Sequence, residues 1–420
     1  MTRPRIAVLG AGVAPAHAPL VAAADLVLGA RRHLDAAGVG EGRALVLGPL
    51  APALDAVAAL GPEQQAVVLA SGDPGFFGIV RALAERFGPD RLDVRPGTSS
   101  IAEAFARLGL PWDDAVVVSA HGRDPRTAFN ICRAQPKTAV LTAPGAGPAE
   151  IGAALLATPG IERRLVVACD LGGPDERVVE ATPAQAAARD WPGVHVVLCL
   201  APGAGVGAMR AVAGAAGAAG RAADRAAGGW ALPEEEFAHR DSMVTKAEVR
   251  ALALARIGPG PGQLVWDIGA GSGSVAVECA RLGAAVVAVE RAEDGVRRIS
   301  SNARAHGVDI SVVHGSAPEA LDGLPAPDAV FIGGGGSDLP GIVSACARHA
   351  RRTVVVTLAA LDRVPAVQQA LRAAGFSADG VQLQASRLAP LPGGVTRLAA
   401  INPVFVLWGT RATDPPGDSL

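Results

Sequence analysis

A glycine-rich segment in the second half of the chain has the residue types and spacing of a small-molecule cofactor loop. Apolar residues 264–268 predict a strand, Gly269, Gly271 and Gly273 follow at alternate positions, and residues 274–282 predict a helix. Glycine lets a backbone turn sharply and approach a ligand closely, and the first turn of a helix has free N–H groups. The segment is therefore predicted to bind a cofactor at a strand-to-helix turn.

The spacing of the glycines and the acid that precedes them indicate which cofactor this is. Asp267 directly precedes the first glycine, and the third glycine comes one residue earlier than in the dinucleotide-binding fingerprint. An acid at this place lies unfavourably close to a pyrophosphate, but it can accept a hydrogen bond from the cationic amino group of S-adenosylmethionine. Glu290 ends the next predicted strand, where an acid can bind the ribose hydroxyls of either cofactor. The loop predicts S-adenosylmethionine, and an NAD-dependent dehydrogenase stays the alternative. The predicted contacts are Asp267, Gly269, Gly271, Ser272, Gly273 and Glu290.

Two further strand ends are predicted to border the same cofactor. Residues 313–321 predict the end of a third strand followed by a helix start, which places Ser316 and Ala317 beside an adenine. Residues 328–332 predict a fourth strand that runs into the glycines at 333–336. Because ligands of open α/β sheets bind at the carboxyl ends of the strands, these loops are expected to form one crevice.

The start of a predicted helix before the glycine loop has two interpretations. Thr245 and Glu248 have the spacing of a capping box, in which Thr245 is the N-cap. Lys246 and Arg250 are four residues apart and would share a face of that helix. Together with Arg240 they form either a solvated basic surface or a set of cations that binds the carboxylates of an acidic substrate. Thr245 is also assigned to the cofactor site.

The rest of the chain predicts the elements that position these residues. Short Val, Leu and Ile runs alternate with alanine-rich helical stretches, a pattern typical of α/β proteins whose parallel sheets are covered by helices on both faces. The runs lie at 6–9, 66–70, 115–118, 138–142, 165–168, 194–200, 264–268, 285–289, 328–332 and 353–358.

This alternation is interrupted by residues 203–229, which are almost all Ala and Gly. They have too few large apolar side chains to form a core, so we predict a linker between two domains, 1–202 and 230–410. Residues 411–420 contain two prolines and a glycine and predict a disordered tail.

Composition excludes several classes of protein. The 420 residues carry a net charge of −2, which argues against a general nucleic-acid binder. The five cysteines are scattered without the paired spacing of zinc sites, a pattern that suits a reducing cytoplasm and predicts no metal site. No run of about twenty strongly apolar residues is free of Gly, Pro or charge, so no membrane span is predicted.

Five motifs in the second half together resemble the decarboxylating cobalt-precorrin methyltransferases of corrin biosynthesis. The motifs are Phe-Ala-His-Arg-Asp-Ser-Met-Val-Thr-Lys-Ala-Glu-Val-Arg from Phe237, Asp-Ile-Gly-Ala-Gly-Ser-Gly from Asp267, Gly-Ser-Ala-Pro-Glu-Ala from Gly315, Phe-Ile-Gly-Gly from Phe331 and Asn-Pro-Val-Phe from Asn402. The combination covers about 230–410 and is far more specific than the glycine loop alone. The resemblance implies a Rossmann-like S-adenosylmethionine-dependent methyltransferase domain.

The first half resembles the tetrapyrrole methyltransferase family and, within it, the carbon-5 methylases of corrin biosynthesis. The matching landmarks are the glycines at 10 and 12 and the segments 70–78 and 95–100. The first loop departs from the family's Gly-x-Gly-Pro-Gly, because its proline is displaced to Pro15 and the last glycine is missing. The resemblance implies a two-lobed α/β domain that binds S-adenosylmethionine largely through backbone groups. The residues assigned to that site are Gly10, Gly72, Asp73, Pro74, Ser99 and Ser100.

The two resemblances together imply one fused enzyme with two S-adenosylmethionine sites. It would methylate carbons 5 and 15 of precorrin-6B and decarboxylate the ring-C acetate, giving precorrin-8 on the route to cobalamin. Its partner would be this small-molecule precorrin, and a homo-oligomer is expected. No catalytic base is assigned, because the sulfonium is already an activated methyl donor and the reduced macrocycle is electron-rich. A protein that carries corrin intermediates without turnover is a further alternative.

Overall fold

The computed structural model describes residues 5–10, 17–207, 229–240, 244–334 and 336–411. These residues form two compact units, Met1–Trp112 with Leu171–Glu176, and Asp113–Asp170 with Arg177–Leu420. Among the described residues, no helix is long and apolar enough to cross a bilayer.

The first unit is a five-stranded, wholly parallel sheet with helices on both faces. Its strand order is β3-β2-β4-β1-β5, and the continuous apolar runs are explained by burial on both sides. Ile6 and Val8 pack into the core on one face, and Ala7 and Leu9 into the core on the other. The elements are β1 (Ile6–Gly10), α1 (Ala18–Ala23), β2 (Leu26–Gly29), α2 (Arg31–Ala36), β3 (Ala44–Val46), α3 (Leu50–Ala58), β4 (Ala66–Ala70), α4 (Val80–Phe87), β5 (Leu92–Arg95) and α5 (Ser100–Leu108).

The second unit begins with a mixed five-stranded sheet. Its elements are β6 (Val116–Ser119), α6 (Pro125–Ala134), β7 (Lys137–Leu141), α7 (Pro148–Leu156), β8 (Arg164–Cys169), β9 (Arg177–Ala181), α8 (Pro183–Ala187) and β10 (His195–Leu200). In the order β6-β7-β10-β8-β9 only β6 and β7 are parallel, so the expectation of a parallel sheet is wrong here. The connection from β8 to β9 contains no helix and is too short for the crossover that a parallel pair needs.

The remainder of the second unit is built on a seven-stranded sheet in the order β13-β12-β11-β14-β15-β19-β16. Strands β11 to β15 are parallel, and β19 runs antiparallel to both β15 and β16. Strands β17 and β18 form a separate hairpin. The elements are α9 (Ala247–Ile257), β11 (Leu264–Ile268), α10 (Ser274–Arg281), β12 (Ala285–Glu290), α11 (Glu293–His306), β13 (Ser311–His314), β14 (Ala329–Gly333), α12 (Leu339–His349), β15 (Thr353–Leu358), α13 (Val364–Ala373), β16 (Asp379–Leu383), β17 (Ser386–Pro390), β18 (Thr396–Ala400) and β19 (Val404–Thr410). Short 3₁₀ helices lie at Pro89–Arg91, Glu234–Glu236, Glu319–Leu321, Gly336–Asp338 and Leu361–Arg363.

The α/β class is confirmed, and every apolar run named from the sequence is a strand. The boundary between the compact units differs from the boundary between the predicted domains 1–202 and 230–410. Residues 113–170 belong to the second unit, in which α6 packs against β12. Of the predicted linker 203–229, residues 208–228 lie outside the described residues, as does the predicted tail beyond Arg411. Arg411 itself belongs to the fold, since its amide donates to the Arg352 carbonyl at 2.9 Å.

The strand order of the large sheet also fixes where a ligand can bind. From β11 the chain adds β12 and β13 on one side and then crosses to add β14 and β15 on the other. The switch point between β11 and β14 leaves a crevice at the carboxyl ends of these strands, which is where open α/β sheets bind ligands.

Candidate cofactor sites

A cleft of about 1150 Å³ opens at the carboxyl ends of β11, β12, β13 and β14. The loops after these strands form its walls, as the sequence predicts. Of the residues assigned to the cofactor or the substrate, those that line it are Arg240, Thr245, Lys246, Asp267, Gly269, Gly271, Ser272, Glu290, Ser316 and Ala317.

The glycine loop needs its glycines for conformation and for space. Gly269, Gly271 and Gly273 have φ values of +70°, +59° and +72°, in the left-handed region that disfavours other residues. A Cβ on Gly269 would lie 2.8 Å from the Gly333 carbonyl oxygen. Gly273 does not line the cleft; a Cβ there would lie 3.0 Å from the Ile299 side chain, so Gly273 permits close packing of the loop on α11.

Replacing Gly269 with alanine is expected to remove one S-adenosylhomocysteine binding site from a calorimetric titration. The Cβ clashes with a carbonyl of the neighbouring strand end, and the positive φ adds about 1–2 kcal/mol of strain. The matched control is Gly323→Ala, at φ +77°, where a Cβ meets no atom within 4 Å. The control should keep every binding site; equal titrations for both variants would contradict this account of the loop.

Asp267 fits the cationic end of S-adenosylmethionine. Its carboxylate is 1% exposed, and Oδ2 accepts a hydrogen bond from the Ala276 amide at 2.9 Å. Oδ1 is buried at the cleft and has no hydrogen-bond partner within the described part of the chain. Burial raises the pKa of Asp267 to about 7, the Ala276 N–H opposes this shift, and the charge of Glu290 adds to it. A buried acceptor without a donor is suited to an ammonium group.

Glu290 holds the glycine loop in place. Its Oε2 accepts from the Gly271 amide at 2.8 Å, and its Oε1 accepts from the Ala292 amide at 2.8 Å. A carboxylate oxygen can accept more than one hydrogen bond, so the predicted contact with ribose hydroxyls stays available. Glu290 therefore shapes the loop in addition to lining the cleft.

Asn302 is a site-forming residue that the sequence reasoning missed. This buried side chain on α11 donates from Nδ2 to the Ser272 carbonyl at 2.7 Å and to the Ala238 carbonyl at 3.0 Å, and it accepts from the Ala238 amide at 2.8 Å. It thereby ties the glycine loop to the segment that carries Arg240. The available signal was a polar residue on the apolar face of α11, between Ile299 and Ala303.

The prediction that Arg250 faces the substrate is wrong. Its side chain is fully buried, forms an ion pair with Glu278, and donates to the carbonyls of Thr245 and Leu232. Glu278 also accepts from the Leu232 amide at 3.0 Å. The two charges meet inside the core, so Arg250 supports the wall of the cleft instead of lining it.

The other two predicted cations do line the cleft. Lys246 is at its wall, and Arg240 pairs with Asp294 at 3.5 Å while remaining about half exposed. These positions agree with the predicted contact to substrate carboxylates, which stays a prediction.

The capping box at Thr245 is also wrong. Helix α9 begins one residue later, with Lys246 as N-cap and no side-chain cap. The Ala247 amide donates to Glu234 Oε1 at 2.7 Å, and Glu248 instead pairs with Arg387 at 2.7 Å. Arg387 also pairs with Glu234 and holds the pKa of that carboxyl at about 2. A distant carboxylate thus satisfies the start of α9.

The first unit contains a second convergence of loops, after β1, β4 and β5. A Cβ on Gly10 would lie 2.1 Å from the Gly97 nitrogen and 2.2 Å from the Gly72 carbonyl oxygen, and the Gly97 amide donates to the latter at 3.1 Å. Gly10 and Gly72 therefore lie close together, and their assignment to a cofactor site stays a prediction. The glycine at position 12 and the displaced proline lie outside the described residues.

The remaining predicted residues of this region have clear local roles. Ser99 is the N-cap of α5 and accepts from the Ala102 amide at 3.2 Å, and Ser100 is the first residue of that helix. Asp73, which precedes Pro74 in the chain, accepts from the Gly75 amide at 2.8 Å and stabilises the turn.

A cluster of three polar side chains, not predicted from the sequence, lies after the carboxyl ends of β2 and β4. The Ser71 hydroxyl is 2.9 Å from His33 Nε2 and accepts from Arg32 at 2.9 Å. Burial, followed by the charge of Arg32, lowers the pKa of His33. The signal for it was slight, because His33 and Ser71 are far apart in sequence.

Both halves of the chain match known families. A model of tetrapyrrole (corrin/porphyrin) methylases matches residues 15–187. A model of the precorrin methyltransferase domain matches residues 235–411.

One curated relative matches this chain over about three quarters of its length, and others match about two fifths of it. Precorrin-6Y C(5,15)-methyltransferase (decarboxylating) of Sinorhizobium sp is 38% identical over 326 residues, which cover 76% of this chain and 74% of the relative. A probable cobalt-precorrin-6B C(15)-methyltransferase (decarboxylating) of Pyrobaculum calidifontis is 34% identical over 42% of this chain and 93% of its own length. Cobalt-precorrin-7 C(5)-methyltransferase of Salmonella typhimurium is 32% identical over 41% of this chain and 88% of its own length.

These relatives confirm the S-adenosylmethionine-dependent methyltransferase that the glycine loop predicts, and they give no support to the dehydrogenase or the carrier. The site agrees with them, because Oδ1 of the buried Asp267 has no hydrogen-bond partner among the described residues and Asp267 lines the glycine-rich cleft. The chain therefore belongs to the decarboxylating precorrin-6Y C(5,15)-methyltransferases, S-adenosylmethionine-dependent enzymes of cobalamin biosynthesis.

Proposed function

We propose that this protein transfers two methyl groups from S-adenosylmethionine to carbons 5 and 15 of precorrin-6B and decarboxylates the ring-C acetate, giving precorrin-8. The observation that carries the proposal is the buried, unpartnered Oδ1 of Asp267 at the glycine-lined cleft of the second unit, among the residues that the structure describes. It provides an acceptor for a cationic methyl donor where a pyrophosphate would be repelled.

We assign carbon 15 and the decarboxylation to the cleft at the glycine loop, and carbon 5 to the loops around Gly10 and Gly72. The first assignment is supported by the precorrin methyltransferase match at 235–411, and the second by the tetrapyrrole methylase match at 15–187. Relatives named for a single carbon each cover about the length of one half of this chain. With this division the protein would have two S-adenosylmethionine sites.

The residues of the cleft would act mainly by binding and alignment. When bound, S-adenosylmethionine supplies a methyl group on a sulfonium that leaves as a neutral thioether. Asp267 would hold the amino group of the cofactor and Glu290 its ribose, while Ser316 and Ala317 would border the adenine. Holding donor and acceptor carbon in line can contribute roughly 7–11 kcal/mol to lowering the barrier.

Substrate recognition would depend on charge at the mouth of the cleft. Lys246 and the half-exposed Arg240 present cations at its wall, and a precorrin carries several carboxylates. The substrate would therefore bind with its carboxylates towards these side chains. We also propose a cytoplasmic homo-oligomer, with the scattered cysteines as the support for a reducing compartment.

Mass analysis of the product made from precorrin-6B and S-adenosylmethionine tests the proposal. The intact protein should add two methyl groups and remove one carboxyl group. Gly269→Ala should keep the carboxyl group and lose the carbon-15 methyl, whereas Gly72→Ala should lose only the carbon-5 methyl, because a Cβ there would lie 3.1 Å from the Thr98 carbonyl at a φ of +57°. Decarboxylation that survives in Gly269→Ala but not in Gly72→Ala would reverse the assignment of the two sites.

A further inference from the structure

A polar contact joins the region before the linker to the large sheet within the second unit. Arg126, near the start of α6, donates to the Asp328 carboxylate at 3.0 Å and to the Ala326 carbonyl at 3.2 Å. One turn later in α6, Asn130 donates to the Gly262 carbonyl at 2.9 Å. These three partners come shortly before β11 and β14, so α6 lies against the amino-terminal edge of the sheet.

A second group of contacts reaches the start of β13. Arg163 donates to Asp309 at 2.9 Å, and the Ser311 hydroxyl donates to the Pro159 carbonyl at 2.6 Å. The Arg163 side chain is only 1% exposed, and it is anchored in its own region by the carbonyls of Cys132 and Arg133. Its guanidinium is therefore held in position for the carboxylate on the other side.

The two sides also fit in shape. A Cβ on Gly262 would lie 2.8 Å from the Thr127 methyl group, so the absence of a side chain lets α6 approach the loop before β11. Ala134, at the end of α6, packs against the core cluster that contains Leu264 and Ala285. Asn130 and Ser311 are 1% and 0% exposed, so these polar contacts exclude water.

The two sides of this surface have complementary charges. On the side before the linker the contacts come from the cations Arg126 and Arg163, and on the other side from the anions Asp328 and Asp309. Charge pairs of this kind select a partner and its orientation, and inter-domain surfaces of this polar type resemble interfaces between separate proteins. Curated relatives that match one half each at about nine-tenths of their own length show that such halves also exist as separate chains.

We propose that this surface, which we call the junction, is a docking site that holds the two halves of the protein together without the covalent connection through residues 208–228. Its occupant is the other half of the same chain. The junction consists of Arg126, Thr127, Asn130, Pro159 and Arg163 on one side and Gly262, Asp309, Ser311, Ala326 and Asp328 on the other. The proposal does not rest on the proposed function.

The test places a protease recognition sequence within residues 208–228 of the full chain and cleaves the folded protein. Complete cleavage is checked on a denaturing gel, and the product is then run on size-exclusion chromatography with light scattering at about 10 µM, a concentration at which micromolar affinity holds a complex together. The expected result is one peak with the mass of the intact protein that contains both fragments. Two peaks with the masses of separate fragments would overturn the proposal.

A pair of charge-reversing substitutions tests whether the junction is what keeps the cleaved halves together. Arg126→Glu with Asp309→Lys places like charges against Asp328 and Arg163 and keeps the net charge unchanged. After cleavage this variant should dissociate at concentrations at least tenfold higher than the parent protein does. The control, Arg297→Glu with Asp322→Lys, changes exposed residues outside the junction and should behave as the parent. Circular dichroism of the uncleaved variants confirms folding, and equal affinity of both pairs would contradict the role of the junction.

Discussion

Replacing Asp267 with asparagine is expected to raise the KM for S-adenosylmethionine in the decarboxylating methyl transfer by at least about 30-fold. Asparagine keeps the shape of the side chain, but it removes the negative charge and can turn an N–H group towards the cofactor's ammonium. Truncating one member of a buried, hydrogen-bonded charge pair typically costs 2–5 kcal/mol. The measurement is carbon dioxide release against cofactor concentration.

The pH dependence of the same reaction gives a sharper signature. With a pKa of about 7, Asp267 is partly protonated in the free protein at neutral pH and must ionise to bind the ammonium. The KM of the parent protein should therefore fall as pH rises from 6 to 8, and the Asp267→Asn variant should lack this fall. Asp322→Asn, at an exposed aspartate away from the cleft, is the control and should match the parent. A variant with the parental pH profile would show that another group is responsible.

The raised pKa of Asp267 also determines how the stability of the folded protein changes with pH. In the unfolded chain Asp267 ionises near its ordinary value of 3.8, whereas in the folded protein it resists ionisation up to about pH 7. The folded state then binds more protons between these two values, so the contribution of Asp267 to stability decreases as pH rises through this window. Above pH 7 the full cost of burying a charge is present, and the Asp267→Asn protein without cofactor should melt at a higher temperature than the parent.

Replacing Arg250 with methionine is expected to cause a large loss of stability in the second unit. It leaves Glu278 as an uncompensated charge in the core, which typically costs 3–5 kcal/mol. It also removes donors from the carbonyls of Thr245 and Leu232. For a unit of this size the melting midpoint should fall by on the order of 10 °C. Differential scanning fluorimetry measures the shift.

Two further variants separate charge from packing. Arg250→Met combined with Glu278→Gln removes both charges and should be less destabilised than Arg250→Met alone. Arg256→Met is the matched control on the same helix, at an exposed residue whose guanidinium carbon lies 3.8 Å from the Trp408 ring centroid. Its loss should stay within about 1 kcal/mol. If Arg250→Met were no worse than Arg256→Met, the ion pair would not be a main support of the core.

The features that could be predicted from the sequence depend on local patterns. A buried parallel strand such as β11 is a continuous apolar run, and the alternate glycines after it are needed by the backbone of that same loop. The positions of Asp267 and Glu290 follow directly, since each lies at the carboxyl end of such a strand. Neighbouring carboxyl ends meet at one edge of the sheet, so the composition of the cleft could be read from spacing.

The features that were missed depend on contacts between distant residues. Helical spacing places Lys246 and Arg250 near each other. It does not show that Glu278, 28 residues later, is buried and forms an ion pair with Arg250. The capping box at Thr245 failed because the Glu234 carboxylate reaches the start of α9 from outside the helix. An apolar run also does not encode strand direction, which is why the antiparallel pairs around β10 were not foreseen.

In the seven-stranded sheet, the carboxyl ends and the amino ends of the strands have separate roles. The cleft opens at the carboxyl ends of β11 to β14. At the opposite ends of the strands, α6 contacts residues shortly before β11 and β14, and Pro159 and Arg163 contact the start of β13. Substitutions in the cleft loops can change which ligand binds without altering the junction. Substitutions in the junction can likewise leave the cleft unchanged. An ancestral gene fusion or a later gene fission could therefore alter the connectivity of the chain while the chemistry of the cleft evolved independently.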